Sequence, residues 1–410
     1  MKALVFGVDP GPVEAPPDDA DPLLRNLAAT PMALQDVADP SLLGPDWVVL
    51  QTRMTGICGS DTKQVLMDTG GDASDMSMTA FISFPQVLGH EVVADVVETG
   101  PDARGVRTGQ RVLLNCWLSC GPRGITPMCP PCQEGDFSQC WHFHDGRLAQ
   151  GIHTGNSSDA TGGFAQKVPA HDSMAIPVPD DVPDEVAVLA DPFAVSLHGI
   201  VRNPPPPGGK AVVWGGGALG TTAIAILRAL YPDVEVGVVA RFGAQADLAR
   251  KLGAHEVFEH EPAIAVIEQA AKWSGGRLAS HTGLPMAFPG GIDVVYDTIS
   301  KKETLEVSVR LLKAHGTLVK AGVHGTTNWE YTPLYFKELS WVGSNAFGIE
   351  EVDGVRKHGI DHYLELVRDG RVDLTGMLTH RFRLEDWRDA FGALATQDRS
   401  GAIKVAFDFR

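Results

Sequence analysis

The residues of this sequence that most plainly suggest chemistry are its cysteines. There are six, and five of them lie within 25 positions of one another. In a chain of 410 residues without a signal-peptide pattern, such crowding favours metal binding over a disulfide framework. The six are Cys58, Cys116, Cys120, Cys129, Cys132 and Cys140.

The clustered cysteines have the spacing of a closed zinc site. Cys129 and Cys132 form a C-x2-C pair, and Cys140 follows after seven further residues, so the three thiolates can bind one tetrahedral metal. The fourth ligand is either Cys116 or Cys120, and we favour Cys120 because the glycine after it offers a turn into the loop. Two alternatives stay open: the thiols are buried or free, or the segment is a zinc-ribbon interaction module.

Cys58 and His90 are a second candidate set of ligands. Both residue types bind zinc, and an open catalytic site uses three protein ligands and a water molecule. By themselves, one cysteine and one histidine 32 positions apart prove nothing, because an isolated core histidine is usually structural. Their meaning therefore depends on the motifs around them.

A glycine turn predicts a dinucleotide site. Gly215, Gly217 and Gly220 have G-x-G-x-x-G spacing, and Ala218 and Leu219 stand between the last two. The turn follows an apolar strand and opens a helix, which is the context this fingerprint requires. The first glycine permits the tight turn, the second lets the backbone approach a pyrophosphate, and the third lets helix and strand pack closely. The alternative is a tight turn without a ligand.

The end of the next strand bears on the choice of cofactor. A site that prefers NAD usually has an acidic residue there to bind the ribose hydroxyls. This chain has Ala240 followed by Arg241, so a 2′-phosphate is not repelled and can pair with the guanidinium group. We therefore expect a preference for NADP; alternatively, Arg241 stacks on the adenine or points into solvent.

Charge and hydropathy restrict the partners. The 34 basic and 51 acidic residues give a formal charge of −17, which argues against nucleic acid or an anionic membrane. No apolar run approaches the roughly 20 residues of a membrane span, and the opening MKALVF predicts a strand rather than a signal peptide. We expect a cytoplasmic protein whose partner is a small molecule, with neither nucleic acid nor a membrane as partner.

The elements that must position these residues change character along the chain. The length favours two domains. The first third is Val-rich and rich in turns, which predicts β structure, whereas the stretch 8–31 looks like an irregular insertion and 68–79 like a loop. The stretch 184–203 predicts a helix, and strands then alternate with helices, which predicts a parallel sheet with helices on both faces. The tail from about 348 predicts one helix and a final strand.

Taken in order, the motifs resemble one family. TGICGSD, VLGHEVV, the cysteine lobe, GGFAQ, a carboxylate–proline pair and the glycine turn follow one another as in the zinc-binding alcohol dehydrogenases of the medium-chain dehydrogenase/reductase superfamily. The resemblance covers nearly the whole chain and implies an α/β protein with two domain types. It implies a GroES-like, β-rich catalytic domain over 1–183, a Rossmann doubly wound parallel-sheet cofactor domain over 184–347, and a segment over 348–410 that returns to the catalytic domain.

The resemblance also implies roles for individual residues. Cys58, His90 and Asp191 would bind a catalytic zinc, and Glu91 would act near it during ligand exchange. Ser60 is placed to accept the hydroxyl proton and pass it outward. With a second, structural zinc in the lobe, about two zinc ions are expected per chain. The ligands of that second ion would be Cys120, Cys129, Cys132 and Cys140.

Three features depart from the family pattern. Eight residues separate Cys120 from Cys129 where two are usual. Lys63 stands where several members have a histidine that relays protons, and it is either part of the relay or a solvated surface lysine. The insertion at 8–31 and the Met-bearing loop at 68–79 are longer than expected.

The predicted function is therefore hydride transfer between a primary or secondary alcohol, or its aldehyde or ketone, and NAD(P), assisted by zinc. We expect a homo-dimer or a homo-tetramer. Two other functions remain possible from sequence: a zinc-free enone or quinone reductase of the same fold, and a non-catalytic protein that binds the cofactor.

Overall fold

The computed structural model of the protein describes residues 1–13, 16–17, 19–68, 77–280, 282–323 and 327–410. A seven-stranded, mostly antiparallel sheet and a six-stranded parallel sheet organise these residues. The predicted loop at 68–79 lies largely outside the described ranges, and its described end is part of a short 3-10 turn, Ser77–Phe81. No helix in the described ranges combines the length and apolar character that a bilayer span requires.

The first part of the chain builds the antiparallel sheet. Two long strands rich in Val and Thr, residue types that favour extended backbone, lie side by side at its centre. The elements are β1 (Lys2–Phe6), α1 (Pro22–Ala29), β2 (Met32–Asp36), β3 (Trp47–Gly56), α2 (Gly59–Val65), β4 (Gln86–Val87), β5 (Glu91–Thr99), β6 (Arg111–Leu114), α3 (Pro130–Glu134), β7 (Lys167–His171), β8 (Ala175–Pro177) and α4 (Asp184–Ala187).

The stretch 8–31 is not wholly irregular, because it contains α1. The Asp21 side chain caps this helix by accepting a hydrogen bond from the Leu23 amide at 2.8 Å, and Pro22 occupies the first helical position. Leu27 is buried in the same apolar cluster as Phe391. A helix of eight residues with one buried face gives too short an apolar pattern to be recognised in a segment rich in Pro and Asp. The sequence therefore did not predict α1.

The middle of the chain builds the parallel sheet, in the order β11-β10-β9-β14-β15-β16. This is the doubly wound order, whose direction reverses between β9 and β14, and it confirms the predicted fold class. The elements are α5 (Ala190–Arg202), β9 (Lys210–Trp214), α6 (Ala218–Leu230), β10 (Glu235–Val239), α7 (Gly243–Lys251), β11 (Glu256–Phe258), α8 (Ala263–Ser274), β12 (Leu278–Ala279), β13 (Met286–Ala287), β14 (Ile292–Asp297), α9 (Lys302–Leu311), β15 (Leu312–Lys320), α10 (Thr332–Phe336) and β16 (Ser340–Gly343).

The helix predicted over 184–203 is two helices, α4 and α5, separated at Val188 and Leu189. Pro192 has no amide hydrogen and fits a helix only in its first turn. It occupies that turn in α5, so the second helix begins just before it.

The last part of the chain returns to the first sheet, because β20 pairs with β3 on one side and with β19 on the other. The structure contains two helices in addition to the single one predicted for this tail. The elements are β17 (Ile349–Val352), β18 (Val355–His358), α11 (Gly359–Arg368), β19 (Leu378–Phe382), α12 (Trp387–Ala395), α13 (Gln397–Ser400) and β20 (Lys404–Asp408).

Candidate active site

Strand pairing brings Cys58 and His90 together. The last residue of β3, Gly56, lies opposite the first residue of β5, Glu91, in an antiparallel register. Cys58 follows β3 as the N-cap residue of α2, and His90 immediately precedes β5. One ligand atom each from Cys58, His90 and Glu91 lies within 4.8 Å of the others. Residues 32 positions apart thus form one compact group of metal-binding atoms.

Asp61, to which the sequence analysis gave no role, positions both predicted ligands. Its Oδ2 accepts a hydrogen bond from the Cys58 amide at 3.0 Å, and its Oδ1 lies 3.7 Å from His90 Nδ1. Burial raises the pKa of Asp61. Burial by itself lowers the pKa of His90, but the negative charges of Asp61 and Cys58 outweigh it and raise that pKa well above its usual value. The sequence signal that could have identified Asp61 is its place at the third position of a capped helix, where a carboxylate can accept a hydrogen bond from the N-cap amide.

Asp191 lies beside this group but is not a member of the compact set of atoms. It is buried in the first turn of α5. Burial raises its pKa to about 7, although the positive charge of His90 acts in the opposite direction. Its Oδ2 lies 4.0 Å from the sulfur of Cys116. Cys116 is therefore at this site and not among the clustered lobe cysteines.

Glu91 is paired with Lys404, a second residue that the sequence analysis missed. Lys404 Nζ forms an ion pair with Glu91 and also donates a hydrogen bond to the Ile57 carbonyl at 3.0 Å. Burial alone lowers the pKa of Lys404, but Glu91 and Cys58 reverse the effect and raise it. A Cβ at Gly56 would lie 2.0 Å from Glu91 Oε2, so only glycine leaves room for this pair.

His153 is the third residue at the site that was not predicted. Its ring centroid is 4.5 Å from that of His90, and the Trp117 ring meets it edge-on at 6.0 Å. Burial and the charge of His90 lower the pKa of His153 to about 3. In the sequence, His153 is a single histidine in the stretch QGIHTG (150–155), and nothing in that stretch marks it as an active-site residue.

The cysteine lobe has the dimensions of a zinc site. Sulfur–sulfur distances are 3.5 Å for Cys120–Cys129, 3.7 Å for Cys120–Cys140 and 3.9 Å for Cys129–Cys140. A tetrahedron of sulfurs around zinc has edges of about 3.8 Å, given Zn–S bonds of about 2.3 Å. Backbone amides donate to two of these sulfurs at 3.4 Å each, which favours thiolates. Cys132 completes the group of four, all of them buried.

The glycine turn has the shape that a pyrophosphate needs. Gly215 has φ +99°, a conformation that favours glycine. A Cβ at Gly220 would lie 1.7 Å from the Gly215 carbonyl oxygen, whereas a Cβ at Gly217 would meet nothing within 4 Å. Ala218 begins α6 and Leu219 follows it, so the helix N-terminus faces the open space.

At the end of β10, Ala240 is buried and Arg241 is exposed. The guanidinium carbon of Arg241 lies 5.2 Å from the centroid of the Phe242 ring. The described segment thus presents a cation, and no carboxylate, where a cofactor ribose would bind.

The helix that carries Asp191 is bonded directly to the fingerprint helix. Ser196 Oγ donates to the Leu219 carbonyl at 2.9 Å and lies 2.7 Å from Thr222 Oγ1. Thr222 Oγ1 also lies 3.2 Å from the Pro192 carbonyl, next to Asp191. These hydrogen bonds fix the position of the candidate metal centre relative to the candidate cofactor turn.

Ser60 and Lys63 lie one turn apart on α2, so their side chains share a face of the helix. Both are partly exposed. Lys63 Nζ donates to the Val323 carbonyl, which connects α2 with the loop after β15. Burial, together with the charge of Lys301, lowers the pKa of Lys63.

Comparison with known proteins identifies relatives of both parts of the chain. The model of the alcohol dehydrogenase GroES-like domain matches residues 44–180, and that of the zinc-binding dehydrogenase matches residues 218–360. The (R,R)-butanediol dehydrogenase of Saccharomyces cerevisiae is 26% identical over alignments covering 90% of this chain and 93% of that protein. D-arabinitol dehydrogenase 1 of Uromyces fabae is also 26% identical, with 90% and 92% covered.

Among solved structures, a Sinorhizobium meliloti 1021 protein with bound NADP is 26% identical and superposes with a TM-score of 0.70, covering 92% of this chain and 96% of the other. The chain belongs to the medium-chain dehydrogenase/reductase superfamily. It is an alcohol-type oxidoreductase that uses a nicotinamide cofactor, as the sequence predicted.

Proposed function

We propose that the protein is a zinc-dependent dehydrogenase that interconverts alcohols and their carbonyl compounds. The observation that carries this proposal is the bonding of α5 to α6. Because Ser196 and Thr222 join the two helices, a substrate oxygen held near Asp191 stays close to a cofactor bound at the glycine turn. Hydride transfer requires this fixed proximity of substrate and nicotinamide.

We propose Cys58, His90 and Asp191 as the ligands of the catalytic zinc. Asp191 is buried, and no lysine or arginine of the described chain forms an ion pair with it. Because an unpaired buried carboxylate is costly, a bound metal cation would stabilise its negative charge. Glu91 already has such a partner in Lys404, which supports a role near the metal rather than as a permanent ligand. When bound, zinc polarises the substrate oxygen and lowers the pKa of an alcohol.

In the direction of alcohol oxidation, a nicotinamide bound at the glycine turn would supply the acceptor for the hydride of the carbinol carbon, and the hydroxyl proton would have to leave the site. Ser60 Oγ accepts that proton, and Lys63, one turn further along α2, passes it towards solvent. The lowered pKa of Lys63 supports this role because it makes the neutral, proton-accepting amine easier to reach. Asp61 keeps Cys58 and His90 in place throughout.

We further propose that the four lobe cysteines bind a structural zinc and that NADP is preferred over NAD. The sulfur–sulfur distances support the first point. The exposed Arg241 and the absence of a carboxylate at the end of β10 support the second, as does the NADP bound to the Sinorhizobium meliloti protein. The domain limits 1–183, 184–347 and 348–410 are proposed as well, supported by the sheet to which each strand belongs.

Metal content and turnover test the catalytic assignment together. Wild-type protein and the variants Asp191→Asn and Glu91→Gln are assayed for zinc by elemental analysis and for activity with a panel of alcohols, NAD and NADP. Asp191→Asn is expected to lose one zinc and nearly all turnover, because a neutral amide is a poor zinc ligand. Glu91→Gln is expected to retain both metals. The opposite result would make Glu91 the third ligand.

A further inference from the structure

We propose that His153 determines substrate specificity by accepting a hydrogen bond from a second hydroxyl group of the substrate, one carbon away from the reacting alcohol. The enzyme would then prefer vicinal diols and polyols to simple alcohols. This inference rests on the proposed function and deepens it, because it names the substrate class of the same site.

The backbone on both sides of His153 is held firmly. Trp117 and His153 form an antiparallel bridge. The Thr154 amide donates to the Cys116 carbonyl at 2.8 Å, and the Leu118 amide donates to the Ile152 carbonyl at 3.1 Å. The segment that bears His153 is thus paired with the one that brings Cys116 to Asp191. Its ring has a constant position beside the candidate metal centre.

The ring itself is enclosed by aromatic neighbours. It lies against His90, with 4.5 Å between ring centroids, and Trp117 meets it edge-on. His153 does not belong to the set of ligand atoms formed by Cys58, His90 and Glu91. It is therefore a neighbour of a proposed metal ligand and not itself one of the compact set of ligand atoms.

The hydrogen bond of one ring nitrogen decides what the other can do. His153 Nδ1 lies 2.7 Å from the Thr154 carbonyl oxygen, and since a carbonyl only accepts, Nδ1 carries the proton. Nε2 then has a free lone pair. No residue of the described ranges donates to it, and the side chain is partly exposed, unlike buried His90. The site therefore offers a substrate one oriented acceptor that lacks a donor.

This acceptor selects for a hydroxyl group. A substrate hydroxyl supplies the missing donor, whereas an alkyl group, an ether or a carboxylate at the same carbon leaves Nε2 unpaired. A site built to hydrogen-bond a hydroxyl discriminates strongly against analogues without it, because its own polar group then loses both water and partner.

The test compares three substrates on three proteins. The substrates are 2,3-butanediol, 3-methoxy-2-butanol, which keeps the second oxygen but has no donor there, and 2-butanol. The proteins are wild type, His153→Phe, which keeps a ring but removes the acceptor, and His153→Gln, whose amide oxygen can accept again. For wild type we expect kcat/KM for the diol to exceed that for the methoxy ether at least about tenfold. In His153→Phe the ratio is expected to fall near one, and His153→Gln should recover part of it; kcat/KM for 2-butanol on each protein serves as the reference for that protein.

A binding measurement separates this inference from the proposed function. Titration of 2,3-butanediol into the zinc-loaded protein with reduced cofactor, followed by nicotinamide fluorescence, is expected to show about tenfold weaker binding in His153→Phe. This result does not depend on turnover. Equal diol affinity in wild type and His153→Phe would overturn the role of His153 even if all alcohols were oxidised. Loss of a zinc ion in His153→Phe and His153→Gln would overturn it too, by making His153 a metal ligand.

Discussion

Two glycines of the same turn are expected to respond oppositely to the same substitution. An alanine Cβ at Gly220 would lie 1.7 Å from the Gly215 carbonyl oxygen and 2.8 Å from its carbon, both of which belong to the backbone. An alanine Cβ at Gly217 would meet no protein atom within 4 Å, and its φ of −74° suits any residue. Gly220→Ala therefore strains the fold, and Gly217→Ala strains only the ligand site.

The geometry sets the expected magnitudes. Overpacking costs about 1–3 kcal/mol, and because neither partner at Gly220 is a flexible side chain we expect the upper end, about 3 kcal/mol or more. For Gly217→Ala the stiffer unfolded chain and the poorer N-cap nearly cancel, so the free energy of unfolding should change by less than about 1 kcal/mol. Its methyl group fills the space left for the pyrophosphate, so we expect the Kd for NADP to rise at least about tenfold, or about 1.4 kcal/mol.

Denaturant unfolding without cofactor measures the first quantity, and calorimetric titration of NADP into folded protein measures the second. Gly217→Ala should unfold like wild type yet bind NADP weakly, whereas Gly220→Ala should unfold earlier. If Gly217→Ala binds NADP as wild type does, the pyrophosphate does not approach this residue. If Gly220→Ala is as stable as wild type, this result contradicts the close contact between helix and strand that the structure shows at Gly220.

Three other predictions concern the metals and the cofactor. Elemental analysis should give about two zinc ions per chain. Cys120→Ser should lose one of them, and Cys116→Ser should retain both. The reverse result would place Cys116 in the lobe. For the cofactor, kcat/KM of wild type should be higher with NADP than with NAD, and Arg241→Ala should lower the value for NADP more than the value for NAD. Ala240→Asp should reverse the preference by repelling the 2′-phosphate. An unchanged NADP-to-NAD ratio of kcat/KM in Arg241→Ala would contradict the role of Arg241. Because burial raises the pKa of Asp191 to about 7, zinc must displace a proton there below that pH. His90, whose pKa is raised well above its usual value, must also lose a proton to bind zinc. Equilibrium dialysis should therefore show catalytic-zinc affinity that falls as the pH falls, with a slope that steepens by up to about tenfold per pH unit below 7. A slope that does not change at pH 7 would contradict a role for Asp191.

The sequence was most informative where function depends on neighbouring residues. The strand, the glycine turn and α6 form a continuous segment, so the turn was predicted as a unit, and the parallel order of the sheet confirms the fold class. The cysteines of the lobe are also close in sequence. The sequence was less informative about short helices. In α1 and α12, which pack on each other, the apolar face is completed only by distant residues.

The environment of the candidate metal centre was decided by the tertiary structure. Spacing and motif order suggested Cys58, His90 and Asp191, but nothing local indicated that Lys404 would be buried against the Ile57 carbonyl, 347 positions away. In the sequence Lys404 is an ordinary charged residue of a final strand. Pairing of β20 with β3 removes it from water, and burial makes an ion pair with Glu91 necessary.

His153 shows the same division most clearly. The sequence determines that an imidazole is present, with two nitrogens that can each donate or accept. Only the fold places this ring against His90 and brings the Thr154 carbonyl to Nδ1, which fixes the proton on one nitrogen and leaves the other as an acceptor. The physical reason is that residue type and spacing determine which groups are available. The direction of a hydrogen bond and the loss of water depend on atoms that the folded chain brings together from distant positions.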